Sequence, residues 1–191
     1  AMELKRLGAV HQPWIVVPNS IIDQVGREAK QWYPAANVLL GSAATTAEGR
    51  RRLIAQSAAS DWDMVIIPES AFTAIGGSDR LRADYIDEQL DMLRNQLEDA
   101  ASDRSKKAIE RALKSAKERL ERLTSQDAKD TGLSFENSGA DYLFVDEAHY
   151  YKNLQRVCNI TELNCTNSSE RAEDLALKLR VLRDRRREEA K

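Results

Sequence analysis

The sequence is poor in the features that mark secreted and membrane proteins. It has only two cysteines, Cys158 and Cys165, and neither has the nearby histidines of a zinc site. Two reduced thiols are therefore expected rather than a disulfide framework. No stretch approaches the ~20 apolar residues needed to cross a bilayer, and the first residues lack the apolar core of a signal peptide. We expect a cytoplasmic protein with no membrane partner.

An excess of charge of one sign is also lacking. The 191-residue chain carries 29 lysines and arginines against 31 aspartates and glutamates, a formal net charge of −2. The overall field therefore does not attract phosphate, and any contact with nucleic acid must come from a local patch. What the chain does have is 42% hydrophobic and 31% charged residues. That composition and length are typical of a soluble, helix-rich domain with one sizeable core.

The most informative stretch is an apolar run that ends in two acids. The residues at 142–145 read Tyr-Leu-Phe-Val, and Asp146, Glu147, an alanine and His149 follow directly. A short run of this kind predicts a strand buried on both faces of a parallel sheet. Ligands of such sheets bind just beyond the carboxyl ends of the strands, so the two carboxylates are expected at a site. A buried strand followed by an ordinary polar turn is the alternative.

Three further short apolar runs precede this stretch, and helical patterns separate them. They lie at 13–18, 37–41 and 61–72. Strands that alternate with helices form βαβ units, in which the strands are parallel. The first run ends in Pro18, and either Asn19 or Ser20 is expected to cap the helix that follows. The predicted fold class is α/β, a small parallel sheet flanked by helices.

Between residues 78 and 124 the pattern changes to two long amphipathic runs. Their apolar positions recur at helical spacing: Leu81, Tyr85, Ile86, Leu90, Leu93 and Leu97, then Ile109, Leu113, Ala116, Leu120 and Leu123. A short joint between such helices predicts an antiparallel hairpin whose apolar seams face each other. We interpret it as a structural insertion at 78–127 between two parts of one domain, 1–77 and 128–191. An arm that binds a protein partner or guides DNA is the alternative.

Four stretches resemble segments of a single family. Asp-Glu-Ala-His at 146–149, followed by Lys-Asn-Leu at 152–154, resembles motif II of superfamily 2 helicases and translocases, the Walker B element. The continuation is similar to the Swi/Snf-related branch found in phages and mobile elements. Stretches resembling motif Ia, the motif Ib region and the segment after motif II lie at 15–24, 61–72 and 168–178. The last begins a helix whose Leu175, Leu179 and Leu182 are expected to be buried.

The resemblance implies a partial RecA-like fold and an ATP-dependent motor that acts on nucleic acid, with DNA the expected polymer. Asp146 would hold the Mg²⁺ of Mg·ATP, and Glu147 would activate the attacking water. His149 would couple the ATP state to movement of the strand. The residues implied to contact the nucleic-acid backbone lie mostly in loops after strands: Pro18, Asn19, Ser20, Gln24, Glu69 and Ser70.

Several parts of such a motor are missing from the sequence. No G-x-x-x-x-G-K-[ST] loop occurs, because neither Gly41 nor the pair Gly76 and Gly77 is followed by the required lysine. A motif III strand and a second RecA-like domain with an arginine finger are absent as well. The resemblance therefore implies a fragment whose own ATPase should be inactive. The strand before Asp146 should then have an exposed edge or exposed apolar faces, which predicts either a homodimer or an aggregation-prone fragment. A non-catalytic protein-interaction module built around the hairpin is the alternative function.

Overall fold

The computed structural model describes residues 1–98, 103–125, 134–154 and 169–189. The chain divides into two compact units: 1–76 with 132–149 and 178–191, and 77–131 with 150–177. The first unit contains the sheet and the second contains the long helices of the predicted hairpin. In the described part of the chain, no helix is long and apolar enough to cross a membrane.

The sheet of the first unit has four strands. They are β1 (Pro13–Val17), β2 (Val38–Leu40), β3 (Met64–Pro68) and β4 (Tyr142–Val145). Their order is β2-β3-β1-β4, and all three neighbouring pairs are parallel. Trp14 lies beside Val65 on one side and beside Leu143 on the other. The predicted α/β class is confirmed, and the sheet is consistent with a partial RecA-like domain.

Seven helices accompany the strands in the described residues. They are α1 (Met2–Arg6), α2 (Ile22–Trp32), α3 (Ala47–Ala59), α4 (Glu69–Ala74), α5 (Asp79–Glu98), α6 (Asp103–Ser125) and α7 (Glu170–Glu189). Short 3₁₀ turns lie at Phe135–Asn137 and Ala148–Tyr151. α3 begins where the sequence favours it, because the Thr46 hydroxyl accepts the N–H of Gly49 at 3.1 Å.

The expected cap of α2 is wrong. Ile21 occupies the N-cap position, and no side chain accepts a hydrogen bond from the first turn of the helix. Asn19 Oδ1 instead accepts the backbone N–H of Ser70 at 3.2 Å. A side-chain oxygen that could have satisfied an N–H of its own helix thus joins the loop after β1 to the first turn of α4.

The predicted burial of the strand at 142–145 is also wrong. All four residues of β4 are half-buried, whereas every residue of β3 is buried. The reason is position in the sheet, because β4 lies at one end of the strand order and β3 lies inside it. An apolar run therefore identified the strand correctly but did not distinguish a central strand from an edge strand.

A cluster of aromatic rings forms the core on one side of β1. Trp14 and Phe135 meet edge to face with ring centroids 5.7 Å apart, and Phe72 meets Phe135 in the same way at 6.1 Å. All three side chains are fully buried. The opposite side of the sheet packs on α2 through Val17, Ile22 and Ile66, among others. The central strands are thus covered on both faces, as parallel strands require.

We expect Phe135→Ala to lower the free energy of unfolding by about 3–5 kcal/mol, because it removes a fully buried ring and leaves a cavity beside two others. Denaturation with urea, followed by circular dichroism, measures the change. Trp32→Ala is the matched control, since the Trp32 side chain is 77% exposed. Its effect should stay within about 0.5 kcal/mol. Equal losses for the two variants would contradict the assigned core.

Of the three leucines expected to be buried along α7, Leu182 is buried, Leu175 is half-buried and Leu179 is exposed. Leu179 is 44% exposed, whereas its neighbour Lys178 is fully buried. The Lys178 ammonium donates to the carbonyl oxygen of Phe72 and lies 3.9 Å from the centroid of the Phe72 ring. A carbonyl and a ring face together compensate the loss of water around the charge. The helix therefore turns a lysine toward the core where the pattern predicted a leucine.

The second unit contains the predicted helical hairpin. Only residues 99–102 separate α5 from α6, and the two helices pack on each other. Ile86, Leu90 and Ala116 are buried in the seam, and Leu113 packs against them. These positions belong to the apolar pattern that predicted the hairpin. The hairpin is confirmed as part of the fold.

Candidate functional site

Three segments follow the carboxyl ends of neighbouring parallel strands. The loop from Pro18 to Ser20 follows β1, the first turn of α4 with Glu69 and Ser70 follows β3, and the turn with Asp146 and Glu147 follows β4. Because β1 lies between β3 and β4, the three segments lie at the same edge of the sheet. In open parallel sheets this edge is where ligands bind. All but one of the sequence-predicted site residues lie at this edge.

The turn after β4 is held in place by backbone hydrogen bonds. The N–H of Asp146 donates to the carbonyl oxygen of Val16 at 2.9 Å, so the ladder between β4 and β1 extends to the first acid. Asp146 Oδ1 then accepts the N–H of Glu147 at 2.9 Å. Both acidic side chains are exposed. The sheet thus fixes the backbone under the two carboxylates while leaving them open to a ligand.

Glu147 has a strained backbone conformation. Its φ is +50°, and it is the one residue other than glycine with a positive φ in the described part of the chain. Such a conformation costs on the order of 1–3 kcal/mol for a residue with a side chain, and such residues cluster at functional sites. Glycine would relieve the strain, so a glutamate at this position motivates the hypothesis that the turn is a functional site. Nothing in the sequence reveals this conformation.

Glu147 and His149 form a close pair. His149 Nδ1 lies 2.9 Å from Glu147 Oε2, and the side chains are 59% and 48% exposed, respectively. A contact this exposed adds little to stability. The contact instead orients the two side chains relative to each other, because the 3₁₀ turn Ala148–Tyr151 places the His149 imidazole against the Glu147 carboxylate. The structure thus brings together Asp146, Glu147 and His149 in one turn.

The loop after β1 and the first turn of α4 are joined by the hydrogen bond from Ser70 N–H to Asn19 Oδ1. Asn19, Ser20 and Ser70 are exposed, while Pro18 and Glu69 are half-buried. The remaining predicted contact residue, Gln24, is exposed on α2 and donates to Glu28 Oε1 at 2.8 Å. The two joined segments offer backbone N–H groups and small polar side chains, which are common partners of phosphate oxygens.

The acids at this edge do not make a complete metal site. No group of three or more His, Cys, Asp or Glu side chains that could hold a metal ion occurs in the parts of the chain the structure covers. Mg²⁺ in nucleotide sites is commonly bound by one or two carboxylates together with phosphate oxygens and water. Asp146 is exposed and uses Oδ1 for the turn, so its carboxylate fits that role in the presence of a nucleotide.

Comparison with known proteins identifies one related family. The family model described as "Probable helicase domain" matches residues 1–190 of the chain, which includes the sheet, the hairpin and the turn after β4. No curated protein and no solved structure matches the chain.

Proposed function

The chain belongs to the family of probable helicase domains, and from this premise we propose that it contributes the Walker B half of the ATPase site of a superfamily 2 motor, in the Swi/Snf-related branch. The observation that carries the proposal is the strained turn after β4. Glu147 keeps a left-handed backbone directly beside Asp146, at the edge of the sheet where ligands bind. An ordinary polar turn would place glycine or asparagine there.

In this proposal Asp146 is the residue that meets the Mg²⁺ of Mg·ATP. Its backbone is fixed to Val16, and its carboxylate faces solvent at the carboxyl end of β4. Bound Mg²⁺ would supply the positive charge that neutralises the phosphates during transfer. Since no P-loop occurs in the sequence, other sequence must supply the groups that hold the phosphates. The motor needs both parts for hydrolysis.

Glu147 is the proposed general base. Its carboxylate is next in the chain to the metal-binding residue and would accept the proton of the water that attacks the terminal phosphate. His149 contacts Oε2 and leaves Oε1 to orient that water. We propose that His149 also couples the ATP state of the site to movement of the nucleic-acid strand. Its imidazole contacts the Glu147 carboxylate, and it lies on the 3₁₀ turn that follows β4.

The loop after β1 and the first turn of α4 are the proposed contact with the backbone of the nucleic acid. Asn19 sets their spacing through its bond to the N–H of Ser70. Phosphate contacts position a strand without reading its sequence, so binding should not depend on base order. DNA is the proposed substrate, and oligonucleotides of the same sequence in DNA and RNA form distinguish the two polymers.

We expect Asn19→Ala to raise the Kd for single-stranded DNA by roughly two- to tenfold, the effect of one lost hydrogen bond of about 0.5–1.5 kcal/mol that orders the loop after β1 against α4. Fluorescence anisotropy with a labelled oligonucleotide measures the Kd. Asn37→Ala is the matched control, because Asn37 is also exposed but lies at the amino end of β2, on the opposite edge of the sheet. If both variants bind DNA like the wild type, these two segments are not the contact.

The experiment that tests the proposed function is DNA-stimulated ATP hydrolysis by a longer protein that joins this sequence to a P-loop. Stimulated turnover that depends on Glu147 supports the proposal. Stimulated turnover that is indifferent to Glu147 assigns the base to another residue and overturns it.

A further inference from the structure

The two helices of the hairpin carry opposite charges on their exposed faces. In α5, six exposed acids outnumber two exposed arginines. In the part of α6 whose side chains the structure describes, five exposed cations outnumber two exposed acids. The cations are Lys106, Lys107, Arg111, Lys114 and Lys117. Because the chain as a whole is nearly neutral, this separation of charge is a local property of the hairpin.

Three of the α6 cations form a single stripe along the helix. Lys107, Arg111 and Lys114 are spaced by four and then three residues, so their side chains lie on one face. Ala116 is buried in the seam against α5. It follows Lys107 by two and a half helical turns and therefore lies on the opposite side of α6. The basic stripe thus faces away from α5 and into solvent.

The stability of the hairpin does not account for this arrangement. Like charges four residues apart destabilise a helix by about 0.2–0.5 kcal/mol per pair, whereas opposite charges stabilise it by similar amounts. Lys107 and Arg111 form such a like-charged pair in α6, and all are exposed. Asp87 and Asp91 form another in α5. Since the stripe faces away from α5, and exposed charges are screened beyond about 10 Å, attraction between the helices is weak. The arrangement therefore indicates a partner outside the hairpin.

We propose that the stripe of Lys107, Arg111 and Lys114 binds the phosphates of a DNA duplex. The stripe rises about 10 Å along the helix axis, and one strand of a duplex presents a phosphate about every 3.4 Å of its axis. With α6 parallel to the duplex axis, the three cations match about three consecutive phosphates. Lys106 and Lys117 extend the positive charge along one side of the stripe.

The composition of the exposed face of α6 favours a duplex over other acidic partners. Among the described side chains this face has no aromatic residue, whereas single-strand binding relies on aromatic rings on which bases stack. It has no large apolar residue either, whereas the centre of a protein interface is poor in charge and rich in aromatic residues and methionine. Membership of a family of probable helicase domains makes nucleic acid the polyanion that this chain meets.

The acidic face of α5 determines which side of the hairpin meets the duplex. Its exposed acids repel phosphates, so the duplex approaches from the side of α6. This second contact rests on the proposed function for its partner, DNA, but does not involve the acids after β4. Binding by the hairpin and hydrolysis at the site can therefore fail separately.

The salt dependence of duplex binding is the first test. Lys107→Gln, Arg111→Gln and Lys114→Gln together remove three phosphate contacts, and glutamine keeps a high helix propensity, so the circular dichroism spectrum should not change. The slope of log Kobs against log salt should become less negative by roughly 2.7, about 0.9 for each contact. The Kd at 0.1 M salt should rise on the order of a hundredfold. Fluorescence anisotropy with a labelled blunt duplex measures both. A wild-type chain that does not bind the duplex, or a folded triple variant with the wild-type slope, overturns the proposal.

A second triple variant, with Arg6→Gln, Arg80→Gln and Arg94→Gln, is the matched control. These exposed arginines lie on α1 and α5, and their replacement removes the same amount of positive charge. The salt slope should stay close to that of the wild type. An equal change of slope in both triple variants would assign the attraction to the overall charge of the chain and overturn the role of α6.

The α6 triple variant also distinguishes other occupants of the stripe. Weaker binding of a single strand with unchanged duplex binding would assign the stripe to single-stranded nucleic acid. Loss of a dimer in light scattering, again with unchanged duplex binding, would assign it to the acidic α5 of a second copy. Either result overturns the proposal. If Asn19→Ala still weakens single-strand binding in that case, the proposed function stands without the contact by the hairpin.

Cross-linking tests the geometry without changing a charge. In a chain with Cys158→Ser and Cys165→Ser, a photoreactive group attached to Ser115→Cys should cross-link to the duplex, because Ser115 is exposed one turn after Arg111 on α6. Asn95→Cys is the matched position, exposed on α5, and should not cross-link. A higher yield from Asn95→Cys, or equal yields from the two positions, would contradict binding along α6.

Discussion

Replacing Glu147 by glutamine is expected to lower ATP turnover by about a hundredfold or more in a protein that joins this sequence to a P-loop. The amide keeps the size of the side chain and cannot accept the proton of the attacking water. ATP binding should persist, because Asp146 and its backbone bond to Val16 are untouched. Steady-state hydrolysis at saturating ATP measures the turnover, and a fluorescent nucleotide measures the binding.

Glu48→Gln is the matched control for this substitution. Glu48 is exposed in the first turn of α3 and forms an ion pair with Arg52 at 3.5 Å, away from β4. Its turnover should equal that of the wild type. If Glu147→Gln also leaves turnover unchanged, Glu147 is not the base. The alternative of a non-catalytic module built on the α5–α6 hairpin would then be favoured.

The second large effect concerns this 191-residue chain by itself. We expect no ATP hydrolysis above the buffer rate and only weak binding of Mg·ATP. A single carboxylate does not hold Mg²⁺ well without phosphates placed beside it, and the sequence contains no loop that could cradle them. Calorimetric titration with Mg·ATP and release of phosphate measure the two quantities. Tight binding would reveal a phosphate site of a different kind in this chain.

The secondary-structure elements and the parallel direction of the sheet could be predicted from the sequence. Apolar runs bounded by turns predicted all four strands, and helical spacing predicted the pair of long helices. Both signals are local, because hydrophobic periodicity follows directly from the geometry of each element. The parallel direction of the sheet followed from the alternation of strands and helices.

The errors all depend on tertiary neighbours. β4 has the apolar composition of a central strand but lies at the edge. Asn19 has the chemistry of a helix cap, but its side chain accepts the N–H of Ser70 in the first turn of α4, a helix distant in the sequence. Lys178 is buried because a carbonyl and the Phe72 ring receive its ammonium, which no helical pattern of leucines can show. Each outcome was decided by a group far away in the chain.

The candidate site, too, could be predicted only in part from the sequence. The acids Asp146 and Glu147 could be assigned to the edge of a sheet because an apolar strand precedes them. The left-handed conformation of Glu147 and its contact with His149 could not, since they arise from the turn that the sheet imposes after β4. These two features support a functional interpretation of the turn, and the sequence contains neither.

The most direct test of the central claim is the rate of ATP hydrolysis with and without single-stranded DNA, measured side by side for three proteins. They are this chain, a longer protein that joins it to a P-loop, and the Glu147→Gln form of that protein. We predict that DNA stimulates hydrolysis only in the longer wild-type protein. Robust hydrolysis by this chain alone, or equal DNA-stimulated rates for the wild type and Glu147→Gln, would contradict the assignment of the turn after β4 as half of an ATPase site.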